Sequence, residues 1–428
     1  MSGTLIQLKA IGSQDNFLTG NPEISFFRKV YKRHTNFAIE SSEIVSRMLS
    51  SNGSYNIKFD VLRYGDLLSN LILEIKLPKI STTSGTYLNW TNNTAHAYIK
   101  ECKINIGETI DKHNSLWLDI WNELTDQNML QFSSLNKHLC KNAYLKSGDI
   151  EDTNKELKLY VPLQFWFCKN IGMALPLISL QHTKVSIDVT VRHIHSIINT
   201  DSSTAVTITG TPTVKLYGDY IFLDETERKR FAQTPEINYL IEQVQYIKIN
   251  PETDFKLNFT KPVKSLIWVF RNRNSSKDSS SASSSIKDAT KNKPGSMNHN
   301  NDYFNYMATS TSISEIFNGT TSYEPFSNCK IKLNNTDRFP YRPATYFRTI
   351  QPLHSGFNVP QKHIYLYSFA LDGTDSDPTG SLNFSKVDNV NINFESVSGT
   401  SSDSSIELFA VNYNILRIKA GMAGLLNN

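Results

Sequence analysis

The chain holds little of what marks most function classes. Cysteine is scarce: Cys102, Cys140, Cys168 and Cys329 are the 4 present, and no two form a C-x-x-C pair. That spacing excludes a local zinc clip and fits a chain made in a reducing compartment. No run reaches the roughly 18 apolar residues that a spanning helix needs. The densest apolar patch, Leu266-Ile267-Trp268-Val269-Phe270, is strand-sized. Met1 to Ala10 shows no basic segment followed by an apolar one, so no signal peptide is expected. The formal net charge is only +4. That is too small for the surface as a whole to attract a polyanion, and no direct, sequence-specific nucleic-acid binding is expected.

Catalytic motifs are missing as well. There is no G-x-S-x-G, P-loop or H-E-x-x-H pattern, and no glycine-rich phosphate cradle. The scattered Asp and Glu residues form no pair suited to general acid and base work. His193-Ile194-His195 would set two imidazoles on one strand face, as in cupin metal sites. Such a site also needs a Glu three or four residues on and a further His, and Ile198 and Asn199 stand there instead. Packed or solvated strand histidines are the simpler reading. The expectation is therefore no catalytic, cofactor-binding or metal residues, and no cofactor. Sequons at Asn52, Asn89 and Asn258 arise readily in an Asn- and Ser/Thr-rich chain.

What the chain does have is aromatics and alternation. It carries 23 Phe, 19 Tyr and 5 Trp, which suit a strand-rich interior. Ile57, Phe59 and Val61 alternate with Asn56, Lys58 and Asp60; Phe255, Leu257 and Phe259 alternate with Asp254, Lys256 and Asn258. Each set is followed by an apolar run, Leu71 to Leu77 and Leu266 to Phe270. Phe59 and Phe259 stand 200 residues apart. Phe165 and Phe167 match Tyr367 and Phe369 at 202, Lys184-Val185 matches Lys386-Val387 at 202, and Asp219 to Leu223 parallels Asn412 to Leu416 at 193. The near-constant offset predicts two copies of one plan. Each half has the length of an eight-stranded jelly roll, so the fold expected is all-β: two tandem eight-stranded antiparallel jelly rolls with short inserted helices and long end loops.

The expected organisation is an N-terminal arm over 1–36, a first jelly roll over 37–223, a linker over 224–236 and a second jelly roll over 237–428. The linker, Asp224 to Pro235, is charged, compatible with a helix and closed by Pro235; Glu225 and Glu227 partly balance Arg228-Lys229-Arg230, which reads as a solvated face rather than a partner site. Leu116, Trp117, Ile120, Trp121 and Leu124 form one apolar helical stripe, expected to dock on a sheet rather than serve as a sugar platform. A Ser-rich stretch, 271–302, reads as a long solvent loop after the strand ending at Phe270. Pro78 to Ala97 reads as a second long polar loop after the corresponding strand of the first half.

Asn21-Pro22-Glu23-Ile24-Ser25-Phe26-Phe27-Arg28-Lys29-Val30-Tyr31-Lys32-Arg33-His34-Thr35-Asn36-Phe37-Ala38 resembles the N-terminal signature of the double jelly-roll major capsid proteins of nucleocytoplasmic large DNA viruses. Asp111 to Thr125 resembles that family's first-domain helix. Tyr346 to Pro352, Pro360 and Ile364 to Leu371 resemble its second-domain core, and Pro378 to Asp388 resembles the turn and strand that follow. The Ser-rich loop and the region from Tyr303 to Asn328 depart from the family.

The resemblance implies a structural protein without enzymatic activity. It implies a homotrimer forming a pseudo-hexagonal capsomer that tiles an icosahedral virus shell beside neighbouring capsomers. Location in the virion capsid, with synthesis and assembly in the host cytoplasm, follows from it. So do minor capsid proteins beneath the capsomers, a penton protein at the vertices and an internal membrane. Under that reading Arg28, Lys29, Lys32 and Arg33, with His34, face inward, toward acidic minor proteins or anionic lipid headgroups, or pack locally within the trimer. The alternative within the family is a non-capsid double jelly-roll assembly scaffold, shed after shaping a membrane. From other classes, a carbohydrate-binding or cupin-type jelly roll lacks a site, and a secreted adhesin lacks a signal peptide.

Overall fold

The computed structural model describes residues 3–13, 15, 19–29, 31–47, 55–81, 88–91, 93–125, 156–200, 206–250, 252–272, 303–304, 306, 324–360, 362–397 and 404–426. The chain divides into two compact units, Met1–Phe37 and Ala38–Asn428. The first holds the short helix Gly3–Lys9. A turn follows, in which the Asp15 carboxylate accepts from the Gly12 N–H at 2.7 Å.

The larger unit is built from antiparallel sheets, and its strand order repeats. In the first half one sheet runs Phe37–Ile44, Thr213–Leu223, Leu67–Leu77, Leu157–Pro162. Its partner runs Ser46–Arg47, Tyr55–Val61, Val185–Val191, Ile99–Ile106, Glu108–Asn114. In the second half one sheet runs Glu236–Ile249, Ser404–Lys419, Pro262–Asn272, Ile364–Ser368. Its partner runs Asp254–Lys256, Val390–Glu395, Asn328–Leu333, Thr336–Asp337. Apart from Ser46–Arg47, an edge addition, the main paths match strand for strand. In each half the last long strand lies between the first and the third, which is the jelly-roll crossover. The fold is two tandem jelly rolls.

Period-two alternation fixes which side chains point inward. Ile57, Phe59 and Val61 are buried and their neighbours Lys58 and Asp60 exposed. The hairpin between Asn328–Leu333 and Thr336–Asp337 turns at Asn334 and Asn335, whose φ angles are 48° and 65°. Asn tolerates that left-handed backbone, and two such residues in a row match the twist of the flanking strands.

The core of the second sandwich is aromatic. Trp268 lies against Phe347, Tyr365 and Phe394 with ring centroids 5.3, 6.1 and 6.3 Å away. Leu266, Trp268 and Phe270 point into this core. Ile267 and Val269, from the same strand, point the other way into the core that belongs mainly to the first half. Tyr365 and Tyr367 against Ile364 and Leu366, and Leu408 and Ala410 against Phe409 and Val411, divide in the same manner. A strand apolar on both faces is buried on both faces.

Several sequence expectations change. The Ser-rich loop does not begin at Arg271, because the strand runs on to Asn272; 273–302 lie outside the described residues, as does most of the region 303–328. The described residues of Pro78 to Ala97 do not form a polar loop. Lys79–Ser81 pairs with Thr207–Thr209, Leu88–Trp90 pairs with Ile198–Thr200, and the helix Thr94–Tyr98 is buried. Ile80, Leu88, Trp90, Ala95 and Ala97 supply the apolar surface that holds it in place. The linker forms the helix Glu225–Gln233, and strand structure resumes at Glu236.

Candidate assembly surfaces

The helix Ser115–Thr125 follows strand Glu108–Asn114 and carries its stripe inward: Trp117 and Trp121 are 1% and 3% exposed. The helix docks on the outer face of the second half's long sheet. Trp117 meets Phe409 at 5.5 Å and Trp121 meets Phe357 at 6.0 Å. The two tryptophans stack on each other at 5.1 Å. Burial of both rings is the reason they offer no platform for a sugar.

Polar clamps surround this apolar contact. The Lys169 and Lys264 ammonium groups hold opposite oxygens of Glu242 at 2.7 and 2.5 Å. Burial pushes the Glu242 carboxyl up; the two lysines more than reverse this and leave it below its ordinary range. Asp119 takes both its oxygens to Lys362 at 2.8 Å and accepts from the Tyr306 hydroxyl and, at 2.6 Å, from Asn93. Asp111 accepts from the Val244 N–H at 3.1 Å and pairs with His113 at 2.9 Å. Each clamp joins residues of both halves, so their carboxylates are buried yet compensated. The two halves also approach closely where Gly421, at φ 77°, faces His182; a Cβ there would lie 2.8 Å from the imidazole.

The outer face of the first half's matching sheet is only partly covered by the described residues. Tyr217, Ile72 and Pro162 are direct cross-strand partners and form an apolar row. Ile72 is 37% exposed. Charge pairs rim the row: Glu74 with Lys158 at 2.9 Å, Lys215 with Glu43 at 3.0 Å, Lys76 with Glu156 at 2.7 Å. An apolar centre with a polar rim is the anatomy of a protein interface.

Other residues singled out from the sequence fall as follows. Arg28, Lys29, Lys32 and Arg33 lie in one exposed stretch of the arm, interleaved with Phe26, Phe27 and Tyr31, with the Lys29 ammonium 5.3 Å from the Tyr31 ring. In the helix Glu225–Gln233, Lys229 pairs with Glu225 at 2.6 Å and Arg228 with Asp66 at 2.9 Å. The charged run is thus largely satisfied within the chain. Cys102, Cys168 and Cys329 are free thiols, and burial pushes all three up, Cys168 to about 12. Cys140 lies outside the described residues.

His193 and His195 are buried but do not share a strand face. They belong to the tight turn Ile194–Ile197, where the His193 ring accepts from the His195 N–H at 3.2 Å. That bond bends the chain out of the extended form and stacks the rings 5.0 Å apart. Among the described residues no group of three His, Cys, Asp or Glu is placed to hold a metal ion. The clamps are what sequence reasoning missed: alternation locates buried faces but not their partners.

Comparison with known proteins bears on the same two halves. A family model described as the N-terminus of major capsid proteins matches residues 25–224, and one described as large eukaryotic DNA virus major capsid protein matches 227–424. The major capsid protein of Pyramimonas orientalis virus is 33% identical, with 99% of each chain covered. The chain belongs to the major capsid protein family of large eukaryotic DNA viruses. The family's member from Paramecium bursaria Chlorella virus 1 is also 33% identical, again over 99% of both chains. A quasi-atomic model of the PBCV-1 virus capsid superposes with a TM-score of 0.73 at 29% identity, covering 94% of this chain and 100% of that one. The Faustovirus major capsid protein, at 12% identity, shares the fold with a TM-score of 0.72, covering 97% of this chain and 96% of that one. The chain is a capsid protein, a structural component of the virion, and its function lies in its surfaces.

Proposed function

We propose that this capsid protein assembles as a homotrimer whose six sandwiches make a pseudo-hexagonal capsomer, and that these capsomers tile an icosahedral shell. The observation that carries the reading is the repeated strand order within one compact unit. Two like sandwiches tripled approximate a hexagon, which packs a plane with one kind of neighbour. A permanent assembly of this sort buries roughly 2,000–5,000 Å² per interface. The division into arm 1–36, jelly rolls 37–223 and 237–428 and linker 224–236 is part of this reading. Light scattering on the purified chain should give three times the chain mass; a stable monomer overturns the proposal.

The shell's further contacts belong to the same reading. Minor capsid proteins underneath, a penton protein at the vertices and an internal membrane are its partners, with Arg28, Lys29, Lys32 and Arg33 turned toward acidic protein or anionic lipid. The interleaved exposed aromatics support this, because basic and aromatic side chains together suit a wet, negatively charged boundary. Buried reduced thiols support synthesis and assembly in the host cytoplasm. Reversing the charge of Lys29, Lys32 and Arg33 should stop shell formation while trimers persist. Normal shells from that variant refute the arm's role.

A further inference from the structure

The two halves share a strand order but differ in what covers their long sheets. In the second half the row Tyr246, Phe409, Ile267 and Leu366 crosses four strands as direct partners. The first half's helix, inserted directly after strand Glu108–Asn114, lies on it through Trp117. In the first half the equivalent strands carry the row Tyr217, Ile72 and Pro162, in which Ile72 is exposed and the other two are half-buried.

The second half has its own insertion at the same place in the strand order. It comprises the helical turns Tyr346–Ile350 and Gln351–His354, which come before strand Ile364–Ser368. This element is anchored: Phe347 is fully buried, and Arg348 holds Glu324 at 2.7 Å. Its outward side chains, Ile350 and Leu353, are 42% and 63% exposed. Among the described residues, one half thus has an apolar row that carries no docked helix, and the other has helical turns whose outward side chains meet no such row.

We infer that the helical segment Tyr346–His354 of one copy docks on the Tyr217–Ile72–Pro162 row of a second copy, repeating between chains the contact that helix Ser115–Thr125 makes within one. The geometry is head to tail. Insertion follows sheet and sheet follows insertion, so the contact generates a ring when the rotation closes. Because each chain already spans two steps of that rotation, three chains close a six-step ring. The occupant is therefore this same chain. Ile350 and Leu353 supply the apolar part, and the charge pairs around Ile72 form the rim. The inference rests on the homotrimer proposed above and adds which surfaces build it.

The test uses the full-length chain. Leu353→Asp and Ile72→Asp each place a charge at an exposed position on one side of the contact. Each variant should keep the far-ultraviolet circular dichroism of the unchanged chain, yet lose the trimer in light scattering at concentrations where the unchanged chain is wholly trimeric. A second measurement uses the pair Ile72→Cys and Leu353→Cys. On mild oxidation it should give covalently linked chains, and either single cysteine should not. If the unchanged chain is itself a monomer, the trimer reading fails. If it is a trimer and both Asp variants remain trimers of wild-type mass, the assigned surface is wrong while the trimer stands.

Discussion

At the scale of single residues, the buried polar groups set how the fold answers to pH. His193 and His195 are 7% and 6% exposed, and burial lowers the pKa of each, with His193 adding to the effect on His195. Above their ordinary value of 6.5 both are neutral whether the chain is folded or not. As pH falls below it, the unfolded chain takes up protons that the fold refuses, so stability is lost downward from that point. The His193 ring also accepts a backbone hydrogen bond, which protonation at Nδ1 would remove. His193→Asn keeps an acceptor without a titrating group. The loss of urea midpoint between about pH 7.5 and about pH 5 should be smaller in this variant than in the unchanged chain; equal losses would exclude His193 as a cause. Glu242, held below the usual carboxylate range, adds a loss at more acidic pH, with the same sign. Little of this was legible in the sequence. The two imidazoles were visible, but the cap that turns the chain between them is a three-dimensional fact.

At the scale of elements, alternation was a sound guide to burial and a poor guide to partners. The stripe Leu116, Trp117, Ile120, Trp121, Leu124 identified a docked helix, and the sheet beneath it proved to be the second half's. The run Leu266 to Phe270 was read as one dense strand; its two faces serve two cores, which period-two reasoning cannot distinguish from a single one. Pro78 to Ala97 misled because its apolar residues are spaced among Thr and Asn, and only pairing with Ile198–Thr200 and Thr207–Thr209 orders them. Trp117→Ala removes a ring that touches both Trp121 and Phe409. The loss should be about 3–5 kcal/mol, measured by chemical denaturation. A loss below about 1 kcal/mol, the range of an ordinary surface change, would mean the helix is not the keystone of the joint.

At the scale of the whole molecule, the duplication was legible as an offset near 200 residues, and the strand order repeats accordingly. The individual matches fared unevenly. Asp219 to Leu223 and Asn412 to Leu416 do lie in equivalent strands, whereas Phe165 precedes a helical turn and Tyr367 lies within a strand. Insertions slide local spacing while leaving topology intact. The apolar joint and its three clamps couple the sandwiches, so Ala38–Asn428 should unfold as one unit. Calorimetry should show a single transition whose van't Hoff and calorimetric enthalpies agree; two resolved transitions would mean the halves are thermally independent.

The sheet shared by both cores also has a mechanical meaning. One face of it packs inside the second sandwich and the other lies under the first half's helix, so bending the molecule across the joint must shear buried aromatic contacts held on a single hydrogen-bonded sheet. A shell tiled from such bricks should yield first at the joints between chains, well before the bricks themselves distort.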